Sequence, residues 1–117
     1  MVENLLKLGI DAFIVQDLGM ALSLKNIFPN IVLHASTQMG ICNLEGALFV
    51  KSLGFSRVVL ARETPLNEIK RIHENCDIEI EYFVQGALCV AYSGNCYFSS
   101  IQSNASGNRG KCKQFCR

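Results

Sequence analysis

Four short apolar runs, rich in β-branched residues and separated by helix-like stretches, constrain this chain more than any other feature. The runs are Ala12-Phe13-Ile14-Val15, Ile31-Val32-Leu33, Arg57-Val58-Val59-Leu60-Ala61 and the segment from Ile78 to Val84. They begin 19, 26 and 21 residues apart, the size of a tight strand-plus-helix unit. Helical patterns are expected over 2–8, 18–28 and 42–53, the last with Leu44, Ala47, Leu48 and Leu53 on one face. Thr64-Pro65 is expected to open a further helix, with Thr64 as its cap and Pro65 in its first position. Continuous apolar runs alternating with helices predict an α/β fold whose parallel sheet is covered on both faces. Leu8-Gly9-Ile10-Asp11 and Leu53-Gly54-Phe55-Ser56 precede two of the runs as a weak internal echo. Each glycine suits a helix C-terminus, where a left-handed residue is needed.

No glycine-rich phosphate motif follows the first run, which disfavours a dinucleotide-binding fold. A (β/α) barrel is the better match, because its strands end in varied polar residues along one rim. Four strands do not close one, since a full barrel has eight and about 250 residues. The expectation is a partial, TIM-like barrel that is a piece of something larger. Its open sheet edges would need the missing half or self-association.

Composition narrows the class. The 117 residues are 50% hydrophobic and 18% charged, which excludes a disordered chain and allows a sizeable core. No run is long enough to cross a bilayer. The first residues lack a basic segment followed by an apolar one, so no signal peptide is expected. The expected setting is the cytoplasm, where unpaired cysteines serve metal or thiol chemistry more often than disulfides. Eleven Lys and Arg nearly balance ten Asp and Glu, but unevenly. Residues 99–117 hold Arg109, Lys111, Lys113 and Arg117 and no acid, a local +4, leaving 1 − 4 = −3 for the remainder. Four of six cysteines, Cys89, Cys96, Cys112 and Cys116, fall in the last 29 residues. The chain therefore divides into a half-barrel, 1–88, and a basic cysteine-bearing loop segment, 89–117.

The cysteine spacing, C-x6-C-x15-C-x3-C, is neither the paired rhythm of a zinc ribbon nor a common ferredoxin pattern. The surrounding words are more specific. Glu81, Phe83, Gly86-Ala87-Leu88-Cys89, Tyr92-Ser93-Gly94, Cys96, Ser99 and the segment Asn108 to Arg117 resemble the signature of the collagenase-like peptidase family U-thirty-two. His34-Ala35-Ser36-Thr37-Gln38-Met39 and Val59-Leu60-Ala61-Arg62-Glu63 are similar to that family as well. The likeness covers nearly the whole chain. One position departs: Gln85 stands where the family usually has His, and an amide cannot titrate or serve as a general base.

The resemblance implies a (β/α) barrel with additions. It implies either a peptidase or an enzyme that hydroxylates a pyrimidine in tRNA or rRNA with the small metabolite prephenate. Other family members resemble oxygen-independent hydroxylase components of ubiquinone synthesis. It further implies a four-iron cluster, with Cys89, Cys96 and Cys112 as three ligands and the fourth ligand downstream of this chain. Cys116 is a weak substitute, and structural zinc is a second reading of the same thiols. Cys42 and Cys76 read as small buried hydrophobes.

His34, Ser36, Gln38, Arg62 and Glu63 fall at strand ends, the rim where barrel enzymes build sites. His34, Gln38, Arg62, Glu63 and Glu81 are the candidates for a pocket. Glu81, in mid-run, needs a partner such as Arg62, either as a structural ion pair or beside a substrate. His73 reads as exposed. The basic segment reads either as an RNA contact with Tyr97 and Phe115 as stacking groups, or as a solvated loop. There is no His-Glu-x-x-His helix and no Gly-x-Ser-x-Gly elbow. The expected parent activity is therefore iron–sulfur-dependent RNA hydroxylation. Proteolysis and an inactive truncated barrel are the alternatives.

Overall fold

A computed structural model describes residues 1–117. Helix α1 (Val2–Lys7) leads into strand β1 (Phe13–Val15), then α2 (Leu18–Ile27) and β2 (Leu33–Ala35). After a 3-10 turn at Thr37–Met39 come α3 (Leu44–Ser52), β3 (Arg57–Val59), α4 (Leu66–Asn75) and β4 (Glu79–Glu81). Helix α5 (Phe98–Ser103) and a 3-10 turn at Gly107–Arg109 lie in the remainder. All four expected strands form, and all pair in parallel in the order β1-β2-β3-β4. The α/β alternation is as the apolar runs predict. The fourth run pairs only over its first half, and Val84 is 91% exposed.

Local chemistry sets the helix ends. Asp17 caps α2 by accepting from the Met20 amide at 2.7 Å, and Asn43 caps α3 through the Gly46 amide at 2.8 Å. Each such cap stabilises by about 1 kcal/mol. Thr64 does not cap α4 as expected. Its hydroxyl donates to the Ala61 carbonyl at 2.7 Å, closing a turn, and Pro65 takes the cap position itself. The internal echo is real in the backbone: Gly9 and Gly54 both follow a helix with positive φ, +79° and +84°.

Helices cover the sheet on one face, not two. Ladder register places Phe13 beside Leu33, Val15 beside Ala35, Ala35 beside Val58 and Val58 beside Ile80. On this face Leu33, Ala35 and Val58 are fully buried, packed with Ala21, Leu24, Leu44, Ala47, Val50 and Ile72 of the helices. Burying one such leucine contributes about 1.5–3 kcal/mol. The register sets Ile14, His34, Arg57 and Glu79 in a row on the opposite face, with Val59 and Glu81 one step further along. There Ile14 is 65% exposed and the Glu79 and Glu81 side chains are 65% and 49% exposed, while Val59, nearer the strand ends, is buried. Strand order explains the asymmetry. Right-handed crossovers that always step to the next strand place every helix on the same side. The molecule is accordingly flat, 41 × 39 × 23 Å, with a radius of gyration of 15.3 Å. A fully rounded domain of this length would have about 13 Å.

On α3 the buried positions are Leu44, Ala47 and Val50, whereas Leu48 is 44% exposed. Cys76 is buried as expected, but Cys42 is exposed, because it precedes α3 and its cap Asn43 and lies outside the helix.

Candidate functional site

The five pocket candidates separate into two places. His34 and Glu81 sit on the open face, around an arginine that the linear sequence did not single out. Arg57 donates to Glu79 at 2.7 Å and lies 3.4 Å from Glu81. Glu81 therefore pairs with Arg57, not with Arg62. The reason is register: β3 and β4 set Arg57 opposite Glu79 and Val59 opposite Glu81. Burial, then the Arg57 charge, hold the His34 imidazole below its ordinary value of 6.5, while Glu79 and Glu81 oppose the shift. The two glutamates hold the Arg57 guanidinium firmly charged, the Glu79 hydrogen bond most of all. A cavity of about 650 Å³ opens beside this cluster, lined by Arg57, His73, Asp77, Glu79 and Glu81 among others. His73 is exposed there, as expected.

Gln38, Arg62 and Glu63 gather at the C-terminal ends of the strands, under the loop between β4 and α5. Ser93, only 1% exposed, is the point of attachment. Its amide donates to Glu63 Oε1 at 2.6 Å and its hydroxyl to Glu63 Oε2 at 2.9 Å. The Arg62 amide approaches Ser93 Oγ at 3.4 Å, and Arg62 Nη2 donates to the Ala91 carbonyl at 2.8 Å. Tyr82 presents its hydroxyl to the Arg62 and Thr64 carbonyls at 3.0 and 3.1 Å, fixing the turn that bears both charged residues. Burial pushes the Glu63 carboxyl up. Hydrogen bonds from the Ser93 amide, its own amide and the Ser93 hydroxyl, with the Arg62 charge, outweigh it and hold the group below 4.5.

Gly94 meets Gln38 directly. Its φ is +78°, and an added Cβ would press on the Gln38 carbonyl, 2.9 Å from the carbonyl carbon. Only glycine allows this approach of loop to turn. Ser36 holds the turn by accepting from the Gln38 amide at 3.1 Å. A cavity of about 460 Å³ at this rim is lined by Arg62, Glu63, Leu88, Cys89, Val90, Ala91 and Tyr92. Arg62, Glu63 and Cys89 thus share one surface, while His34 and Glu81 lie apart from it. Ser93 and Tyr82 were missed as site residues. The only sequence signal for Ser93 was its place between Tyr92 and Gly94 in the signature.

All six cysteines are free. Cys89, Cys112 and Cys116 are exposed and Cys96 is half-buried. Cys112 is the most structured. Its sulfur lies 3.6 Å from Ser99 Oγ and accepts from the Gln114 amide at 3.4 Å, while Ser99 Oγ accepts from the Lys113 amide at 3.0 Å. The Ser99 contact first, then the Gln114 amide, lower the thiol below its ordinary 9.0. Such hydrogen bonds suit a thiolate. However, no three His, Cys, Asp or Glu side chains are grouped so as to hold a metal ion. Cys89, Cys96, Cys112 and Cys116 are not gathered into one such group. Arg109, Lys111 and Lys113 are exposed and belong to none of the ion pairs. Arg117 folds back onto the Leu88 carbonyl, and Asn108 donates to the Gly94 carbonyl at 3.0 Å. Phe98 and Phe115 stack edge to face, 6.1 Å between centroids. No helix is long and apolar enough to cross a membrane.

A one-sided parallel sheet with a cysteine-bearing loop fixed across its strand ends is the class of molecule these elements define. The sequence profile of Peptidase family U32 matches residues 1–117, and the chain belongs to that family. It is 50% identical over 117 residues to the 23S rRNA 5-hydroxycytidine C2501 synthase of Escherichia coli, covering 100% of this chain and 18% of that protein. It is 46% identical over 93 residues to tRNA hydroxylation protein P1 of Bacillus subtilis, covering 80% of this chain and 22% of the relative. It is 37% identical over 122 residues to a collagenase of Porphyromonas gingivalis, covering 95% of this chain and 29% of that protein. The chain thus spans less than a third of the length of these curated relatives. No solved structure matches.

Proposed function

We propose that this chain is the strand-end and cysteine-loop portion of a longer protein that hydroxylates a pyrimidine in RNA. The observation that carries the reading is the 50% identity, over all 117 residues, to an rRNA 5-hydroxycytidine synthase. Several tRNA hydroxylation proteins between 39 and 46% identical add to it. We read the four strands as an arc of a (β/α) barrel made by residues 1–88, with 89–117 crossing its rim. Chain beyond the present residues would then supply the remaining strands. The rim cavity beside Arg62, Glu63 and Cys89 is the place for a small polar metabolite. The exposed cations Arg109, Lys111 and Lys113 would contact the RNA backbone, with the half-exposed Phe115 and Tyr97 as stacking groups. An RNA substrate favours the cytoplasm.

An iron–sulfur cluster in the longer protein belongs to the same reading, with Cys89, Cys96 and Cys112 as candidate ligands. Soft thiolates hold such clusters. The thiols are not grouped here, so ligation would need them drawn together with a further donor. Iron and acid-labile sulfide analysis of anaerobically purified protein, with and without Cys89→Ser, tests this part.

Deleting the gene should abolish one hydroxylated pyrimidine in the RNA of its host. Unchanged RNA nucleoside mass spectra would overturn the proposal. The collagenase relative supports proteolysis as the second reading. Against it, the Cys112 thiol has Ser99 and Gln114 as neighbours and no histidine that could act as its base.

A further inference from the structure

We infer that Glu63 is a positioning residue, whose carboxylate latches the 88–96 loop to the end of β3 and so sets where Cys89 and Cys96 stand. The importance given to those two thiols rests on the proposed function. The latch itself rests on geometry alone.

The stretch from Gly86 to Tyr97 contains no helix or strand. Within it the backbone makes just two hydrogen bonds to itself, Leu88 to Gly86 and Asn95 to Tyr92. Its conformation must therefore be imposed from outside, by side chains. Three of its carbonyls are held from outside the stretch, Leu88 by Arg117, Ala91 by Arg62 and Gly94 by Asn108, and that of Ser93 is held within it by the Asn95 amide group. Each of these is one bond from a side chain to one oxygen. Glu63 differs, because it takes both an amide and a hydroxyl of the same residue. That residue, Ser93, is the most deeply buried of the loop.

The chemistry calls for a carboxylate. Two donors 2.6 and 2.9 Å from two separate oxygens need an acceptor with two acceptor atoms and no hydrogen of its own. Residues 82–117 hold no Asp or Glu, and the structure supplies the acceptor from the body. Glu63 is well placed to supply it. It stands two residues after Ala61, which is 2% exposed and whose amide bonds to the Ile41 carbonyl at 2.8 Å. Tyr82 clamps the turn on either side, at Arg62 and Thr64. The anchor is thus tied to the core, and the loop is tied to the anchor. Cys89 stands four residues before Ser93 and Cys96 three after it. Losing the latch would release the segment that carries both.

The test is amide hydrogen exchange and 15N relaxation on the 117-residue chain, needing neither RNA nor iron. In Glu63→Ala, protection of the Ser93 amide should fall about tenfold or more. Relaxation should report new mobility over 88–96. Amides of Leu33, Val58 and Ile72 should stay within about twofold of the parent as controls for the fold. Glu63→Gln, which keeps one acceptor oxygen, should recover part of the Ser93 protection. Wild-type Ser93 protection in Glu63→Ala would overturn the inference. So would an equal loss at Leu33, Val58 and Ile72, which would make Glu63 a residue of general stability. Neither result bears on RNA hydroxylation, so the two readings can fail separately.

Discussion

The body of the molecule and its C-terminal segment are held by different forces. Up to β4, parallel ladders and a packed apolar layer do the holding, and every buried hydrophobic residue except Ala105 precedes Asp77. Beyond β4, the buried groups include Ser93 and Ser99, and order comes from side chains bonded to distant backbone. The contrast separates stability from placement. Burial contributes much free energy but tolerates small displacements. Hydrogen bonds contribute about 1 kcal/mol each but specify position to a fraction of an ångström.

The largest expected effect is in the body. Leu33→Ala removes a fully buried β2 side chain from the layer between the sheet and its helices, and should cost about 2–5 kcal/mol. Urea denaturation measures it, and a loss below 1 kcal/mol would mean the covered face is not the main source of stability. Next comes Gly94→Val, which places a β-branched residue at φ +78° against the Gln38 carbonyl. The left-handed conformation alone costs about 1–2 kcal/mol. The loop should shift instead of the body, so amide signals of 88–96 should move while those of β2 and β3 stay. Uniform changes would erase the distinction between the two regions.

A smaller effect is expected on the open face. Arg57→Ala removes a charge that lowers the His34 pKa and leaves Glu79 and Glu81, which raise it. The His34 titration, followed by NMR, should move upward. Because the fold favours neutral His34, its contribution to stability is present above 6.5 and is lost as pH falls through the folded value. Arg57→Ala should shrink that loss, and an unchanged His34 titration would break the assignment of this charge cluster. The least effect on structure is expected from Lys111→Ala with Lys113→Ala, both exposed and unpaired. The fold should be unaltered. Binding of a single-stranded RNA should weaken, with the salt slope reduced by about 0.7 for each lost phosphate contact. An unchanged slope would leave this surface without an RNA role.

These contrasts also mark what could be read from sequence. The four strands and most helices were legible, because burial leaves a periodic trace in neighbouring residues. Which sheet faces the helices cover is not legible, since a β-branched run looks alike whether one or two faces are covered. Glu79 and Glu81, two carboxylates on the same side of the fourth run, are the residues that mark the open face. Arg57 escaped notice because its role depends on ladder register, which pairs residues more than twenty apart. The strand-end candidates Arg62 and Glu63 were found by position, but their partner Ser93 lies thirty residues on from Glu63, and no local pattern announces it. Thr64 followed the usual capping rule by residue type, yet its hydroxyl took a nearer carbonyl instead.

The strand order carries one more consequence. Each strand lies beside the one before it, and the stepping direction never reverses. Strand starts at 13, 33, 57 and 79 give repeats of 20, 24 and 22 residues, two of them entered through a helix, a glycine at positive φ and a strand. Such a scaffold has no privileged centre. Duplicating or deleting one whole repeat would change neighbours at a single seam and leave every other strand presenting the same side to the same helices. A half repeat would have no such neutrality. Lineages could therefore lengthen this architecture in whole steps, while the rim residues that each strand offers diverge independently.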